Sequence, residues 1–181
     1  MKKRFKLLAL TLSLLLGSSM ALAACGSSSD TAETSSTTNP YGANTIDPAP
    51  DGTPILTVTN GSVSTDYTLK ELQEFSTKDI SIFEPFVQEQ QEFTVIPLSE
   101  IFSQNKVGES AEVGTVALNY YVYSNTAKNF TTHAGYVAIA RQGKDIPYDQ
   151  GGPIRIIFPD DSEWATNLEA WNWSIRNIKV K

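Results

Sequence analysis

A strand that carries a charge through its middle constrains a fold more than a purely apolar one, and this chain has such a strand set between two prolines. Pro153-Ile154-Arg155-Ile156-Ile157-Phe158-Pro159 reads as a short strand whose apolar run is broken only by Arg155. Proline has no N–H to give a ladder, so the strand is bounded at both ends. Arg155 shares its parity with Ile157. It therefore either faces solvent or is buried against a carboxylate, with Asp149 or Asp145 as the expected internal partner and an anionic ligand as the other reading. Ahead of the strand, Gly143 suits a hairpin turn, Pro147 ends whatever precedes it, and Gly151-Gly152 admits backbone conformations closed to other residues.

The elements around this strand follow from turn and cap chemistry. Ile55 to Thr59, Asn60-Gly61 and Ser62 to Tyr67 predict a hairpin, because Asn-Gly takes the positive φ of a type I′ turn. Thr68-Leu69-Lys70-Glu71 is a capping box, flanked by Tyr67 and Leu72 at staple spacing, and predicts a short helix from Leu69 to about Phe75. Asp79 to Val87 and Glu92 to Ile96 read as extended, with Gln88 to Glu92 as a solvated loop. Pro97 to Phe102 suits a second short helix with proline in its first turn. Val113 to Tyr123 is read as one strand, with Tyr121 and Tyr123 opposite Val116, Leu118, Tyr120 and Val122. Ser124 to Ala134 is read as a loop carrying the single histidine, His133. A strand from Tyr136 to Arg141 follows, then a turn or short helix through Trp164 and Leu168. In the closing run, Trp173 and Ile175 have one parity and Ile178 and Val180 the other, which predicts a bulge near Asn177. The expected fold class is α+β, mainly β in mixed sheets with a few short helices.

The chain opens with Lys2, Lys3, Arg4 and Lys6, an apolar run from Leu7 to Leu16, and small residues leading to Leu22-Ala23-Ala24-Cys25. That run is too short for a spanning helix and reads as a secretory signal over residues 1–24. The tetrad resembles the lipobox of bacterial lipoproteins, which implies cleavage before Cys25 and lipidation of its thiol. Two buried acyl chains anchor far more firmly than one. The expectation is an extracytoplasmic protein held at a bacterial cell membrane through its lipid. Cys25 is the only cysteine, which excludes intrachain disulfides and, once the thiol carries lipid, a thiolate nucleophile or Cys-based zinc site.

Residues 25–52 are rich in Ser, Thr, Ala, Asn, Pro and Gly and nearly lack bulky apolar side chains, so they predict a disordered linker reaching roughly 30 Å. Residues 53–181 then form one domain of ordinary size. Removing the leader, with its four basic residues, leaves ten basic against twenty acidic side chains. A surface so acidic argues against nucleic acid and against direct binding to anionic lipid.

Gly143, Ile146-Pro147, Gly151, Pro153, Arg155 and Pro159, together with the Leu69-x-x-Leu72 and Ile96-Pro97-Leu98-x-x-Ile101-Phe102 helices and the closing Trp173 to Val180 run, resemble the oxidoreductase molybdopterin-binding domain family. This is the fold of the central domain of sulfite oxidase and plant nitrate reductase, and the likeness spans the whole domain. It implies molybdopterin as the candidate cofactor, with Gly151, Gly152 and Arg155 near it. The departures are chemical. The family's molybdenum is held by a cysteine thiolate, and no cysteine follows Cys25. Gln150 stands where many members have His, Asp160 where they have Gly, and Asn172 where a Lys often precedes the tryptophan. Loss of that soft ligand withdraws the usual metal chemistry.

Other candidates have plainer explanations. His133 has no second His or Cys to complete a zinc site and is not expected to be a ligand or general base. Asp160, Asp161 and Glu163 lack the spacing of a calcium loop and read as a solvated turn. Core packing explains most of Tyr120, Tyr121, Tyr123, Trp164, Trp171 and Trp173, leaving one or two for a stacking surface. The function expected is a lipid-anchored, non-catalytic binding or accessory protein with no resident cofactor and no metal, meeting an envelope protein or a small ligand. Beside it stand a molybdopterin oxidoreductase without cysteine ligation and a binder of carbohydrate or another cell-envelope ligand.

Overall fold

Residues 49–181 are described by a computed structural model and fall within one compact unit. The leader, Cys25 and nearly all of the linker lie outside the described residues. Among the described residues no helix is long and apolar enough to cross a membrane.

The opening hairpin forms as expected from β1 (Leu56–Asn60) and β2 (Val63–Tyr67). Its register pairs Asn60 with Val63, so the two loop residues are Gly61 and Ser62, and Gly61 takes φ 59. Asn60 stays in the strand, where its side-chain amide donates to the carbonyls of Asn105 and Lys106 at 3.1 Å each. Both halves of the capping box are present at α1 (Leu69–Leu72), which stops short of the expected Phe75. Thr68 Oγ1 accepts from the Glu71 amide at 3.2 Å, and Glu71 Oε2 accepts from the Thr68 amide at 2.8 Å.

β3 (Lys78–Glu84) and β4 (Glu89–Pro97) pair as a second hairpin from Lys78↔Val95 to Glu84↔Glu89. The expected loop at Gln88 to Glu92 is therefore mostly strand. Gln91 shares the parity of Phe93 and Val95, and all three are buried. α2 (Leu98–Gln104) follows Pro97 and buries Leu98, Ile101 and Phe102.

Two expectations fail next. The single strand expected from Val113 to Tyr123 is a hairpin, β5 (Glu112–Ala117) and β6 (Val122–Thr126). Its turn lacks the usual Gly or Pro. Asn119 Oδ1 accepts from the Tyr121 amide at 3.0 Å, and Tyr120 takes φ 67, so an Asx-type bond does the work of a glycine. The loop expected at Ser124 to Ala134 contains the end of β6 and then α3 (Ala127–Thr132), started by Thr126, whose hydroxyl accepts from the Asn129 amide.

β7 (Tyr136–Arg141), β8 (Arg155–Ile157) and β9 (Ile175–Val180) lie where expected. β9 pairs with β5 through a register shift: Val116 faces Asn177 and Ala117 faces Ile175. This is the expected bulge, and it lets Ile175 and Ile178 both enter the core despite opposite parity. Among the described residues the strands form two sheets, β2-β1-β9-β5-β6 and β3-β4-β7-β8, with β1 and β9 the one parallel pair. A single apolar cluster runs between them, from Leu56, Val113 and Ile178 to Phe93, Val137 and Ile156.

Candidate ligand site

The segment between β7 and β8 is built by close backbone packing. Gly143 takes φ 70 in the turn that follows β7. Tyr148–Gln150 makes one 3₁₀ turn that ends on Gly151 at φ 86, and the Gly152-Pro153 bond is cis. A Cβ on Gly152 would lie 1.8 Å from the Ile146 carbonyl oxygen, and one on Gly151 would lie 3.1 Å from the Trp173 ring. Both glycines are thus required by neighbouring protein atoms. Arg141 donates to Gln150 Oε1, holding the 3₁₀ turn against the end of β7.

Arg155 is fully buried. It forms an ion pair with Glu84, 71 positions earlier, at 2.6 Å, and Glu84 is fully buried too. The physical reason is placement: Glu84 ends β3 on the parity of Ile80 and Ile82, and the fold brings that end to Arg155. The second oxygen of Glu84 accepts from the amides of Phe86 and Val87 at 2.9 and 2.8 Å, so the carboxylate also shapes the β3–β4 turn. The guanidinium carbon lies 4.3 Å from the Trp173 ring centroid and 5.7 Å from that of Phe93. In this geometry Gly151, Gly152 and Arg155 hold the scaffold together.

The outer edge of β8 carries the chain into the other sheet. Ile156 donates to the Asn172 carbonyl, Ile175 to Ile154, and Ser174 to Gly151. Trp171 to Ser174 is therefore a seam between the sheets, and a recess of about 360 Å³ opens along it. One wall holds Phe86 and Trp173, an edge-to-face pair with centroids 4.6 Å apart. The β5–β6 turn supplies Ala117, Asn119 and Tyr121, and the loop before the seam supplies Leu168, Glu169 and Trp171. Tyr121 donates its hydroxyl to the Glu169 carbonyl at 2.9 Å. Partial burial, then the nearby Glu169 carboxylate, raises its phenol above the ordinary tyrosine value. Asn172, 1% exposed, donates to the Thr115 carbonyl at 2.8 Å and to its hydroxyl at 3.1 Å, while its Oδ1 has no protein donor. Phe86, Leu118, Tyr120, Tyr121, Val122 and Leu168 are exposed apolar side chains of these same segments.

The remaining aromatics divide cleanly. Trp164 is a packing centre, in ring contact with Tyr123, Phe130, Phe158 and His133. His133 caps the end of α3 and stacks on Trp164 at 4.6 Å, with Nδ1 3.9 Å from Glu163. Among the described residues no group of three His, Cys, Asp or Glu is placed to hold a metal ion. Asp160 is a tie rather than an open turn: its oxygens accept from the Phe83 amide at 2.7 Å and the Gln90 side chain at 3.2 Å. A larger groove of about 840 Å³ runs between α1 and the Asp145 to Tyr148 segment, beside Ala49 to Thr53.

Sequence reasoning found the tryptophans and Tyr121 but missed Glu84, Phe86, Asn119 and Glu169. Glu84 did leave a signal: a carboxylate on the apolar parity of one strand matches an arginine inside the apolar run of another.

Fold and site together define a two-sheet α+β domain with an aromatic recess at the seam between its sheets. Among solved structures it is similar to the sulfane dehydrogenase SoxCD from Paracoccus pantotrophus, with a TM-score of 0.55 at 16% identity over 69% of this chain. The likeness spans 37% of that enzyme's chain and concerns the fold alone. No protein-family model matches the sequence, and no curated protein does.

The residues that the resemblance would place near molybdopterin do not fit it. The one arginine of the signature is sealed inside against Glu84, the glycine turn is filled by protein atoms, and Cys25 is the only cysteine in the chain. Anionic phosphate calls for exposed donors and basic side chains, and none of the residues lining the recess is basic.

Proposed function

We propose that this protein is a lipid-anchored, extracytoplasmic binding or accessory protein that uses a sulfite oxidase-type domain as a scaffold and takes a small ligand in the aromatic recess. The observation that carries this reading is the internal Glu84 to Arg155 pair, which places a protein carboxylate where the signature arginine would otherwise meet an anion. The anchor rests on Leu22-Ala23-Ala24-Cys25, and the linker that follows would carry the domain away from the bilayer. Aromatic walls with a few polar groups suit a planar or sugar-like ligand of the cell envelope.

Metal analysis of the full chain, purified from its own membrane, tests the scaffold reading. Molybdenum well below stoichiometry is expected, and one molybdenum per chain would overturn it. Labelling with palmitate tests the anchor. Cys25→Ala should abolish the label and release the protein from the membrane fraction, whereas label retained in that variant would remove the lipoprotein assignment.

A second reading, an oxidoreductase that holds molybdopterin without cysteine ligation, is favoured by the likeness to a sulfane dehydrogenase. It requires cofactor to copurify with the full chain.

A further inference from the structure

We propose that the end of the domain carrying the β5–β6 turn rests on the surface of the lipid bilayer. This rests on the anchored reading above and adds which end of the domain meets the membrane. Sheet topology carries it. β9 runs parallel to β1, with Asn177 beside Thr57, and antiparallel to β5, with Ile175 beside Ala117. The start of β1, the start of β9 and the end of β5 therefore lie at one end of the five-stranded sheet. The chain enters the fold at that end, and the β5–β6 turn closes it. Because β1 and β5 flank β9, the two points are about 10 Å apart across the sheet. Ala49 and Leu118 accordingly line one recess of about 280 Å³. The Ala49 amide donates to the Tyr148 hydroxyl at 3.3 Å, which holds the entering chain there.

The same end leaves apolar side chains in solvent. Leu118, Tyr120, Tyr121 and Val122 are all exposed within one turn that has no charged residue, and Phe86 and Leu168 are exposed where they line the aromatic recess with Tyr121. An apolar patch of this kind marks a contact surface. Tyrosines among aliphatic neighbours suit the boundary between headgroups and acyl chains, where the ring is buried and the hydroxyl stays wet. A lipid surface is favoured over a protein because the tether delivers this end to it. Residues 25–48 join the lipidated Cys25 to Ala49 and keep the domain within roughly 30 Å of the bilayer, so even a weak contact is populated. The acidic excess of the chain, with Glu169 beside the recess, favours zwitterionic over anionic headgroups. Burial of apolar surface drives the contact, so salt should hardly change it.

The opposite end of the sheet supplies the control. Val63 opens β2 beside the last residue of β1 and is 64% exposed, against 77% for Tyr120. The full lipidated chain is reconstituted into phosphatidylcholine vesicles, with or without bromine on the acyl chains near the headgroups. A tryptophan is placed at the turn by Tyr120→Trp or at the far end by Val63→Trp, with the native tryptophans as a common background. Bromine is expected to quench the added emission several-fold more in Tyr120→Trp than in Val63→Trp, and equally at high salt. Adding Leu118→Asp and Val122→Asp to the Tyr120→Trp chain should remove most of that difference. All of these side chains are exposed, so the variants should keep the wild-type melting profile. Equal quenching at the two ends of a chain that carries palmitate overturns the contact and leaves the anchor standing. A chain without palmitate removes the anchor and the contact with it. Shielding of position 120 in native membranes but not in pure lipid points to a protein partner and overturns the lipid assignment.

Discussion

Glu84 and Arg155 are a buried pair with unequal obligations. The Glu84 carboxylate serves a guanidinium and two backbone amides, whereas Arg155 packs against two aromatic rings as well as its partner. Glu84→Leu removes the 2.6 Å partner of a buried guanidinium and the acceptor of two amides, and should cost about 3–5 kcal/mol. Arg155→Leu leaves a carboxylate still held by the Phe86 and Val87 amides and should cost less. The double variant should be more stable than Glu84→Leu alone, since removing one partner of a buried pair costs more than removing both. Urea denaturation of the four proteins checks the order, and equal losses in the two single variants would contradict this account. Sequence left Arg155 internal or exposed and did not point to Glu84, because a pair 71 positions apart is chosen by the fold.

Elements that announce themselves by local chemistry were legible, and those that do not were missed. The capping box at Thr68 and Glu71 was readable because its two hydrogen bonds are confined to four consecutive residues. Thr68→Ala should cost about 1 kcal/mol by loss of the cap. Hydrogen bonds from the Thr68 amide, then its hydroxyl, hold the Glu71 carboxyl below the ordinary glutamate value. The lowered folded value means that this contribution is present above the unfolded value and fades as pH falls through the folded one. Glu71→Gln should remove that part of the acid-side slope, as thermal melts across acidic pH would show. The β5–β6 turn escaped notice because Asn119 and a positive-φ Tyr120 do what a glycine normally does. α3 escaped because it is short and polar, with only Ala127 and Phe130 buried.

Across the whole molecule, the two sheets share one apolar cluster, and the Trp171 to Ser174 seam is bonded to β8 before it enters β9. Neither sheet can separate without exposing the face of the other. The chain should therefore unfold in a single transition, with calorimetric and van't Hoff enthalpies in agreement, and a resolved second transition would show the sheets to be independent. The sequence by itself determined the features written in local spacing: strands closed by prolines, the capped helix and the parity break that became a bulge. The tertiary structure alone decided that Glu84 answers Arg155, that the glycine turn is filled by protein atoms, and that Phe86, Tyr121, Trp171 and Trp173 gather around Asn172. The physical reason is range. Turns, caps and strand ends depend on residues within a few positions, whereas ion pairs and recesses depend on which distant surfaces the core brings together.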